Sequence, residues 1–448
     1  MSEKPEPPQS AGTSLPTKPP KPAQRPITER PTEPGSAAAQ GSLSSDVARG
    51  AVDTLGRVRQ ELDRRALTAL AAGHLAVDFA NGALPALLPF LKDRFGLSYT
   101  LAAALMLASA AFSSLIQPLF GLWSDRRGAY WLMPAGVAVA GIGIALASDA
   151  PSYWLVVLFV SVSGIGVAAY HPEGSKFAAY ASGKRRASGM SFFSVGGNIG
   201  YALGPILATP LVLWQGLKGG LFLMVPCLVI ALILVRARPF LQGFATEAVT
   251  RARSTGHDDL RALGLLLGVI CFRSVAWFGL VTFVPLWEVS LGHSKAHGNH
   301  LLSLMLLVGG VGTIAAGPLA DRVGLRPVLI GSLLACPPLI LVFILVGGVP
   351  GAIALAGVGC CVIGTFGVTM VMSQQYLPSR IGMASGLSIG LSIGLGGIAA
   401  VALGAVADSI DLRAALLVCA VAPVLGLALA LLLPSPRRRV EPEPAPAA

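Results

Sequence analysis

Long apolar stretches alternate with short polar turns from residue 66 to residue 433. An α-helix that crosses a bilayer needs about 20 mainly apolar residues, because each residue adds about 1.5 Å along the axis. Twelve stretches meet this requirement and are numbered here as spans 1 to 12: 66–91, 98–123, 130–148, 152–173, 187–212, 217–236, 262–288, 299–319, 326–347, 350–376, 383–407 and 412–433. The pattern therefore predicts an all-α membrane protein with 12 transmembrane helices.

Polar segments flank and divide this apolar part of the chain. Residues 1–45 are rich in proline and lack apolar runs, which is typical of a disordered cytoplasmic tail, and 434–448 have the same character. Residues 46–65 carry apolar side chains at helical spacing among arginines, so we expect an amphipathic juxtamembrane helix there. The polar stretch 237–261 separates spans 1–6 from spans 7–12 and is expected to be a cytoplasmic linker.

The composition requires the bilayer that the pattern predicts. Hydrophobic residues make up 54% of the chain and charged residues 12%, whereas soluble domains have about 25% charged residues. A water-soluble fold would have to expose much of this apolar surface, because so few charged residues are present to cover it. The composition therefore excludes a soluble enzyme.

The net charge of +11 reflects where the basic residues lie. With a cytoplasmic N-terminus, the segments at the cytoplasmic helix ends carry 21 Lys and Arg residues and the outer loops carry five. Because basic residues are retained on the cytoplasmic side, both termini of this multi-pass protein are predicted to be cytoplasmic. The excess charge is thus explained by orientation in a plasma membrane, and no nucleic-acid partner is expected.

A short sequence occurs twice at equivalent positions. GLWSDRRG at 121–128 matches GPLADRVG at 317–324, an offset of 196, and the tripeptide ASG at 187–189 recurs at 384–386, an offset of 197. Two pseudo-symmetric six-helix bundles around a cavity at the membrane midplane are typical of a transporter. We expect such a chain to work as a monomer by alternating access. The two predicted bundles are 66–236 and 262–433.

The repeated octapeptide has the residue types of a conformational latch in short cytoplasmic loops. Its aspartate can approach the N-terminus of a neighbouring helix, its first arginine can pair with carboxylates across the bundle interface, and its glycines permit a tight turn. The residues concerned are Gly121, Asp125, Arg126, Gly128, Gly317, Asp321, Arg322 and Gly324. The alternative is a loop that only sets the topology.

Ionisable side chains inside the spans are few, and each is a functional candidate because a charge in hydrocarbon is costly. His74, Asp78 and Asn81 share one face of span 1, since they are spaced i, i+4 and i+7. Asp78 is the first candidate for a carboxyl group that exchanges a proton, and His74 is able to share that proton. The alternative is a polar cluster that only ties helices together.

Span 4 carries two further ionisable residues near its cytoplasmic end. His171 and Glu173 stand beside Pro172 and Gly174, which we expect to interrupt the helix and expose backbone dipoles to a cavity. The alternative is a helix-terminating turn in which Glu173 caps a neighbouring helix.

One basic residue lies well inside a span. Arg273 in span 7 requires a counter-charge or an anionic substrate, and its planar guanidinium suits phosphonate, phosphate or carboxylate groups. Asp78 and Glu173 are the candidate partners. A proton that neutralised Asp78 would then weaken its pairing with Arg273 and bias the two halves towards one opening.

Neutral side chains complete the candidate cavity. Asn198 on span 5 and Gln374 and Gln375 on span 10 are able to orient a ligand by hydrogen bonds, although helix packing explains them equally well. Trp277 and Phe278 follow Arg273 and either line the cavity or face lipid and packing neighbours.

No cofactor and no metal are expected. His293, His297 and His300 have a spacing that could bind a metal if the loop before span 8 were helical, but Gly292 and Gly298 argue against a helix there. The chain has no G-x-x-x-x-G-K-[ST] sequence for ATP, and its soluble parts lack nucleophile and base combinations. We therefore expect a protein that is not an enzyme.

The duplicated octapeptide resembles the signature of the major facilitator superfamily. Span 5 adds Gly196, Gly200, Gly204 and Pro205, which are similar to the antiporter motif of drug/proton exchangers in that superfamily. Glycine every four residues makes a smooth helix face for close packing, and proline bends the helix.

More specific sequences are found in five places within residues 66–433. These are His74-x-x-x-Asp78, Gln117-Pro118, His171-Pro172-Glu173-Gly174, Gly196-Gly197-Asn198 and 377–387. Together they resemble the fosmidomycin resistance protein group of bacterial efflux transporters. The chain departs from the usual pattern in Gly324-Leu325-Arg326, where Gly-Arg-Lys is common, and in lacking an arginine in the middle of span 4.

The resemblance implies a proton-coupled antiporter in the bacterial plasma membrane. Its partners would be protons, the lipid bilayer and a small amphipathic or anionic substrate such as a fosmidomycin-like antibiotic. Gln117 joins the candidate proton-coupling and substrate-binding residues through this resemblance. The alternatives are a proton-coupled importer of a small organic anion or nutrient on the same fold, and a membrane receptor or scaffold that does not transport.

Overall fold

The computed structural model describes residues 62–127, 129–183, 186–243, 258–378 and 381–434, which form long helices joined by short turns. The helices are α1 Arg64–Phe95, α2 Tyr99–Arg127, α3 Leu132–Ser148, α4 Tyr153–Ala181, α5 Arg186–Gln215, α6 Met224–Gln242, α7 Leu260–Ser290, α8 Lys295–Val323, α9 Leu325–Leu345, α10 Gly348–Gly364, α11 Phe366–Tyr376, α12 Ile381–Ser409 and α13 Leu412–Leu431, with a 3₁₀ helix at Gly216–Leu223. These described ranges contain no strand, so the prediction of an all-α membrane fold is confirmed.

Each predicted span coincides with a helix or with two consecutive helices. In the described ranges, ten helical stretches are long and apolar enough to cross a membrane, and one of them, Gly189–Gln242, covers predicted span 6 and nearly all of span 5. α3 is apolar but shorter, with 17 residues. Span 10 is divided at Thr365 into α10 and α11, and α6 continues to Gln242, inside the predicted linker.

Capping side chains explain where several helices begin. A serine or aspartate before each of five helices accepts a hydrogen bond from a backbone amide in the first turn, which typically stabilises a helix by about 1 kcal/mol. The capped amides are those of Ala66 in α1 (2.8 Å from Asp63), Leu155 in α4 (3.4 Å from Ser152), Ala262 in α7 (2.9 Å from Asp259), His297 in α8 (3.1 Å from Ser294) and Ala414 in α13 (2.6 Å from Asp411).

One backbone contact is made in duplicate. The amide of Asp63, before α1, donates to the carbonyl of Ala181 at the end of α4 at 2.9 Å, and the amide of Asp259, before α7, donates to the carbonyl of Tyr376 at the end of α11 at 2.7 Å. The spacing between equivalent residues is close to that of the repeated octapeptide. The internal repeat therefore extends from the sequence to the packing of the helices.

α1 and α5 pack with their backbones in direct contact. A β-carbon on Gly200 would lie 2.1 Å from the carbonyl oxygen of Leu75, and one on Gly204 would lie 2.3 Å from the carbonyl carbon of Gly82. No larger side chain fits at these distances, so glycine at these positions of α5 allows the close approach. This approach brings α5 against the face of α1 that carries the ionisable residues.

The helices of 64–242 and those of 260–431 are joined most tightly at one end of the bundle. We call this end, where α1 finishes, the Phe95 end, and the opposite end the Arg64 end. The Asp408 carboxylate at the end of α12 accepts hydrogen bonds from the backbone amides of Tyr99 (2.8 Å) and Thr100 (2.9 Å) and from the Thr100 hydroxyl (2.6 Å). Lys295 of α8 forms an ion pair with Asp93 of α1.

One face of α12 shows how this contact changes along the bundle. At the Phe95 end, a β-carbon on Gly404 would lie 2.8 Å from the Cα of Thr100, and at Gly397 it would lie 3.0 Å from the Cβ of Ala110. Further along, at Gly394 and Gly390, a β-carbon would meet nothing within 4 Å. In the described part of the chain, the two sets of helices are therefore packed together at the Phe95 end and apart towards the Arg64 end.

The octapeptides lie mainly on helices, which corrects the prediction that they form loops. Residues 121–127 are the last turns of α2 and 317–323 the last turns of α8. At the end of α8, the polar side chains of Asp321 and Arg322 reach water without breaking the helix. Asp321 and Arg322 are exposed, and Gly324 ends α8. Gly128 and the side chains of Asp125 and Arg126 lie outside the described residues.

Other predictions concern parts of the chain outside the described residues. These are the tail 1–45, most of the helix predicted at 46–65, residues 244–257 of the linker, and all of the tail 434–448 except its first residue.

Candidate functional site

Three ionisable side chains from α1 and α4 meet inside the bundle. The Nε2 atom of His74 lies 3.2 Å from Oδ2 of Asp78, one turn further along α1. The Nε2 atom of His171, on α4, lies 3.5 Å from Oδ1 of the same carboxyl group. The three side chains are 12%, 17% and 25% exposed, so their neighbours do not close them off completely. We call these residues the His–Asp–His cluster.

Backbone carbonyl groups hold both imidazole rings of the cluster. The Nδ1 atom of His74 lies 2.9 Å from the carbonyl oxygen of Phe193, and Nδ1 of His171 lies 2.8 Å from that of Val167. A carbonyl oxygen only accepts hydrogen bonds, so each Nδ1 must carry a proton. A neutral imidazole has a single N–H, which leaves both Nε2 atoms as bare acceptors facing the Asp78 carboxyl group. The contacts are attractive only when a proton or another cation lies between these acceptors.

Aromatic residues and one glycine enclose the cluster. The ring of Phe193 stacks on His74 with 4.2 Å between ring centroids, and the hydroxyl of Tyr170 donates to the carbonyl of Leu70. A β-carbon on Gly197 of α5 would lie 2.5 Å from Nε2 of His74 and 2.6 Å from Oδ2 of Asp78. The position of Gly197 therefore keeps open the space between the imidazole and the carboxyl group.

α4 passes through Pro172 without interruption, which corrects the predicted break at 171–174. The helix continues to Ala181, and Pro172 lies inside it. A proline can be accommodated in a membrane helix when neighbouring helices pack around it, and the buried Tyr170 attaches this part of α4 to α1. Glu173 is also buried, and its Oε2 lies 2.7 Å from Nζ of Lys176 on the same helix.

Arg273 is buried in the other half of the chain. Its Nη1 atom lies 3.4 Å from the hydroxyl of Thr365 and 3.3 Å from that of Thr369, and its guanidinium lies 5.2 Å from the centroid of the Phe366 ring. Only 3% of the residue is exposed. Among the described residues, no carboxylate lies within 4 Å of this guanidinium, so hydroxyl groups and a ring face surround the charge.

The expected pairing of Asp78 or Glu173 with Arg273 does not occur in this structure. Asp78 contacts the two histidines and Glu173 contacts Lys176. Opposite charge makes a partnership plausible, but a sequence contains no distance between residues on separate helices. The sequence does not predict Thr365 and Thr369 as neighbours of Arg273, because hydroxyl side chains are common in membrane helices and carry no charge. The one indication in the sequence is their spacing of four residues, next to Gly364 and Gly367.

The other candidates are distributed around these two sites. Asn198 donates to the Thr313 hydroxyl at 3.3 Å and so joins α5 to α8 near the middle of the bundle, and Trp277 lies 6.0 Å from the ring of Tyr201. Half-buried or exposed positions are found for Asn81 on α1, Gln117 on α2, and Gln374 and Gln375 on α11. None of the contacts described for these four residues connects them to the His–Asp–His cluster.

A second group of side chains that could bind a metal lies where α7 meets α8, and the sequence indicates only its histidines. α8 begins at Lys295 and includes Gly298, so the expectation that His297 and His300 lie outside a helix is wrong. Ser294 caps this helix, and the cap outweighs the low helix propensity of one glycine. The structure also brings Glu288, at the end of α7, to His293 and His297, with distances of 2.6 and 3.5 Å to ring nitrogens.

The structure is a helical membrane bundle with an internal repeat; it is closed at one end and holds ionisable groups inside. This is the architecture of an alternating-access transporter. The model of the Major Facilitator Superfamily matches residues 70–400 and 266–448, and the chain belongs to this family. Members of the family are multi-pass membrane transporters for small molecules that typically work as monomers, and they are not enzymes.

Individual relatives share much of the chain. An uncharacterized MFS-type transporter of Bacillus subtilis, YfnC, is 32% identical over 79% of this chain and 89% of its own length. The fosmidomycin resistance protein of Escherichia coli is 28% identical over 81% of this chain and 91% of its own length.

Solved structures show the same fold. A bacterial homologue of the human lysosomal transporter Spinster, in an inward-facing and unoccupied conformation, aligns with a TM-score of 0.66 and 16% identity, covering 82% of this chain and 96% of that one. The nucleoside transporter NupG aligns with a TM-score of 0.64 and 13% identity, covering 82% and 98%.

Proposed function

We propose that this protein exports a small anionic or amphipathic compound in exchange for protons, by alternating access. The observation that carries the proposal is the arrangement of the His–Asp–His cluster. Two Nε2 atoms face one carboxyl group, and the carbonyl groups behind both rings fix the tautomer in which these nitrogens lack protons. A proton supplies the positive charge that this arrangement requires, and the partly exposed side chains allow that proton to enter and leave.

Proton binding at the cluster affects helix packing. One proton between Asp78 and His171 links α1 to α4, and a second between Asp78 and His74 links the carboxyl group to the ring that bonds to α5. Loss of these protons leaves facing acceptors that repel one another. The number of bound protons therefore biases the relative stability of two arrangements of α1, α4 and α5.

Arg273 is the proposed anchor for an anionic substrate. A guanidinium offers five N–H donors, and the two threonine hydroxyls engage only one of its nitrogens. A phosphonate or carboxylate would bind the remaining donors and supply the missing negative charge, once Phe366 moves from the guanidinium. Phe366 is the first residue of α11, directly after the helix break at Thr365.

The orientation follows from the distribution of basic residues. We propose that the Arg64 end faces the cytoplasm, that both termini are cytoplasmic, and that 66–236 and 262–433 move as two halves in a bacterial plasma membrane. The described conformation then has its opening towards the cytoplasm, with the Asp408 and Lys295 contacts closing the outer side. A substrate would enter from the cytoplasm in this state.

The direction and substrate class are supported by the relative that is a fosmidomycin resistance protein, since resistance is expected from export of the drug. Fosmidomycin carries a phosphonate, which suits a buried arginine. Proton-coupled import of an organic anion is the alternative on the same fold. Import would raise the amount of substrate inside the cell, whereas export would lower it.

The decisive experiment measures fosmidomycin accumulation in cells with and without this chain. Export predicts less labelled drug in the expressing cells and growth at higher drug concentrations, and both effects should disappear when a protonophore collapses the pH gradient. Greater accumulation would establish import instead. Unchanged accumulation, together with no counterflow of labelled drug in proteoliposomes, would exclude fosmidomycin as a substrate and leave the phosphonate assignment wrong.

Gly197→Ala tests the space inside the cluster. The added methyl group would have to lie within 2.6 Å of both His74 and Asp78, so it should separate them. We expect pH-gradient-driven transport to fall about 10- to 100-fold, because small displacements of reacting groups have effects of that size. Gly310→Ala is the matched control, because its β-carbon would make an ordinary 3.5 Å contact with Asn198. Equal transport by wild type and Gly197→Ala would contradict the proposal.

A further inference from the structure

Glu288, His293 and His297 form a compact group at the Phe95 end, where α7 turns into α8. Oε2 of Glu288 lies 2.6 Å from Nδ1 of His293 and 3.5 Å from Nε2 of His297. One ligand-type atom from each residue lies within 4.8 Å of the others. We call this group the Glu–His–His cluster; it belongs entirely to the C-terminal half of the chain and is separate from the proposed proton site.

The burial of the three side chains differs in a way that suits a bound ion. The Glu288 side chain is 6% exposed, whereas those of His293 and His297 are 52% and 51% exposed. The two imidazole rings lie 4.9 Å apart between centroids, above the buried carboxylate. An ion arriving from solvent therefore meets two half-exposed imidazole rings before it reaches the charged carboxylate beneath them.

Backbone contacts hold the cluster in place without any ion. The amide of His293 donates to the carbonyl of Glu288 at 3.0 Å, and the amide of His297 donates to the Ser294 hydroxyl at 3.1 Å. Gly292 has a φ of +90° and so allows the tight turn that brings His293 back over Glu288. The ligands are thus preorganised by a turn and a helix cap, and binding requires only small side-chain movements.

We propose that the Glu–His–His cluster binds a divalent transition metal ion of the zinc type. Zinc takes histidine nitrogen and carboxylate oxygen ligands at about 2.0–2.2 Å, which places neighbouring ligand atoms roughly 3.4 Å apart in a tetrahedral site. The 3.5 Å separation of Glu288 and His297 already matches this geometry, and the hydrogen bond from His293 is replaced by a bond to the metal. Three protein ligands leave the fourth position for water.

The position of this site connects it with the closed end of the bundle. Lys295, between His293 and His297 in sequence, forms the ion pair with Asp93 that joins α8 to α1. A bound dication adds positive charge close in sequence to Lys295 and so alters the electrostatic attraction between Lys295 and Asp93. Metal binding at the Glu–His–His cluster would therefore affect the ion pair between Lys295 and Asp93.

The proposal is tested by zinc titration of the full-length protein, purified in detergent and stripped with a chelator. Calorimetry with Zn²⁺ gives the stoichiometry, and Co²⁺ absorption reports the coordination geometry. The variant is His293→Ala/His297→Ala; the matched control is His300→Ala, an exposed histidine on the same helix. His74→Ala/His171→Ala separates this site from the His–Asp–His cluster, whose ligand atoms are also close enough for a metal.

We expect one zinc per chain in wild type, in His300→Ala and in His74→Ala/His171→Ala. In His293→Ala/His297→Ala the dissociation constant should rise at least about tenfold, because changes even in the outer shell of a metal site cost about 10- to 100-fold. Equal affinity of that variant and wild type would overturn the proposal, and so would loss of zinc only in His74→Ala/His171→Ala or no binding to wild type. Thermal unfolding without metal establishes that each variant is folded.

Discussion

Asp78→Asn should remove the response of transport to a pH gradient while leaving substrate exchange in place. The amide has the size of the carboxyl group, and its NH₂ can donate to Nε2 of His74 or His171, so the helices stay together without a bound proton. Gradient-driven transport of labelled fosmidomycin should fall at least about 100-fold, the size typical of losing a group that transfers a proton. The measurement is transport into proteoliposomes with and without an imposed gradient.

Counterflow in the same vesicles isolates coupling from binding. With no gradient, wild type and Asp78→Asn should exchange labelled for unlabelled substrate at similar rates, since Arg273 is unchanged. Asp149→Asn is the matched control, because Asp149 is a partly exposed aspartate of the same half that pairs with Arg94 at 3.4 Å. A wild-type response of Asp78→Asn to the gradient would show that the proton is carried elsewhere in the chain.

Arg273→Gln should weaken binding of anionic substrates and spare the fold. Hydrogen bonds to charged groups contribute about 1.5–3 kcal/mol, and each 1.4 kcal/mol is a factor of ten, so the dissociation constant for fosmidomycin should rise about 10- to 100-fold. Arg273→Lys should recover part of this loss, because lysine keeps the charge but not the planar array of donors. Binding to purified protein in detergent, measured calorimetrically, gives the constants directly.

Thermal unfolding distinguishes a binding role of Arg273 from a structural one. In the described residues the guanidinium is buried without a carboxylate partner, so its removal should leave the unfolding temperature unchanged or raise it. Arg413→Gln, at an exposed arginine of α13, is the control for loss of charge alone. Unaltered affinity in Arg273→Gln, or a large drop in stability, would show that Arg273 serves packing.

The His–Asp–His cluster shows how much of a site can be predicted from local sequence pattern. His74 and Asp78 could be placed on one face of a helix because the helical repeat brings residues four apart together. His171 lies far away in sequence, and its arrival at the same carboxyl group depends on the packing of α4 against α1. The carbonyl groups of Phe193 and Val167, which fix the tautomers, have no sequence signal, since every residue has a carbonyl group.

The incorrect expectations come from local preference or from charge. Pro172 and Gly298 favour helix breaks by their local preferences, but packing around α4 and the Ser294 cap of α8 outweigh these preferences. The charge of Arg273 predicts a carboxylate partner, whereas its neighbours in the structure are threonine hydroxyls and a phenyl ring. The cap at Ser294 is local, but the packing around Pro172 and the neighbours of Arg273 come from distant parts of the chain, which the adjacent residues do not indicate.

By itself, the sequence determined the all-α membrane fold, the family and the short set of ionisable residues inside the spans. These follow from quantities that are local or additive: apolar length against bilayer thickness, a repeated octapeptide, and the cost of charge in hydrocarbon. The tertiary structure alone decided the partners of Asp78 and Arg273, the meeting of Glu288 with two histidines, and the closure of the Phe95 end. Those features depend on distances between helices. Helix packing determines these distances, and a local sequence pattern carries no information about them.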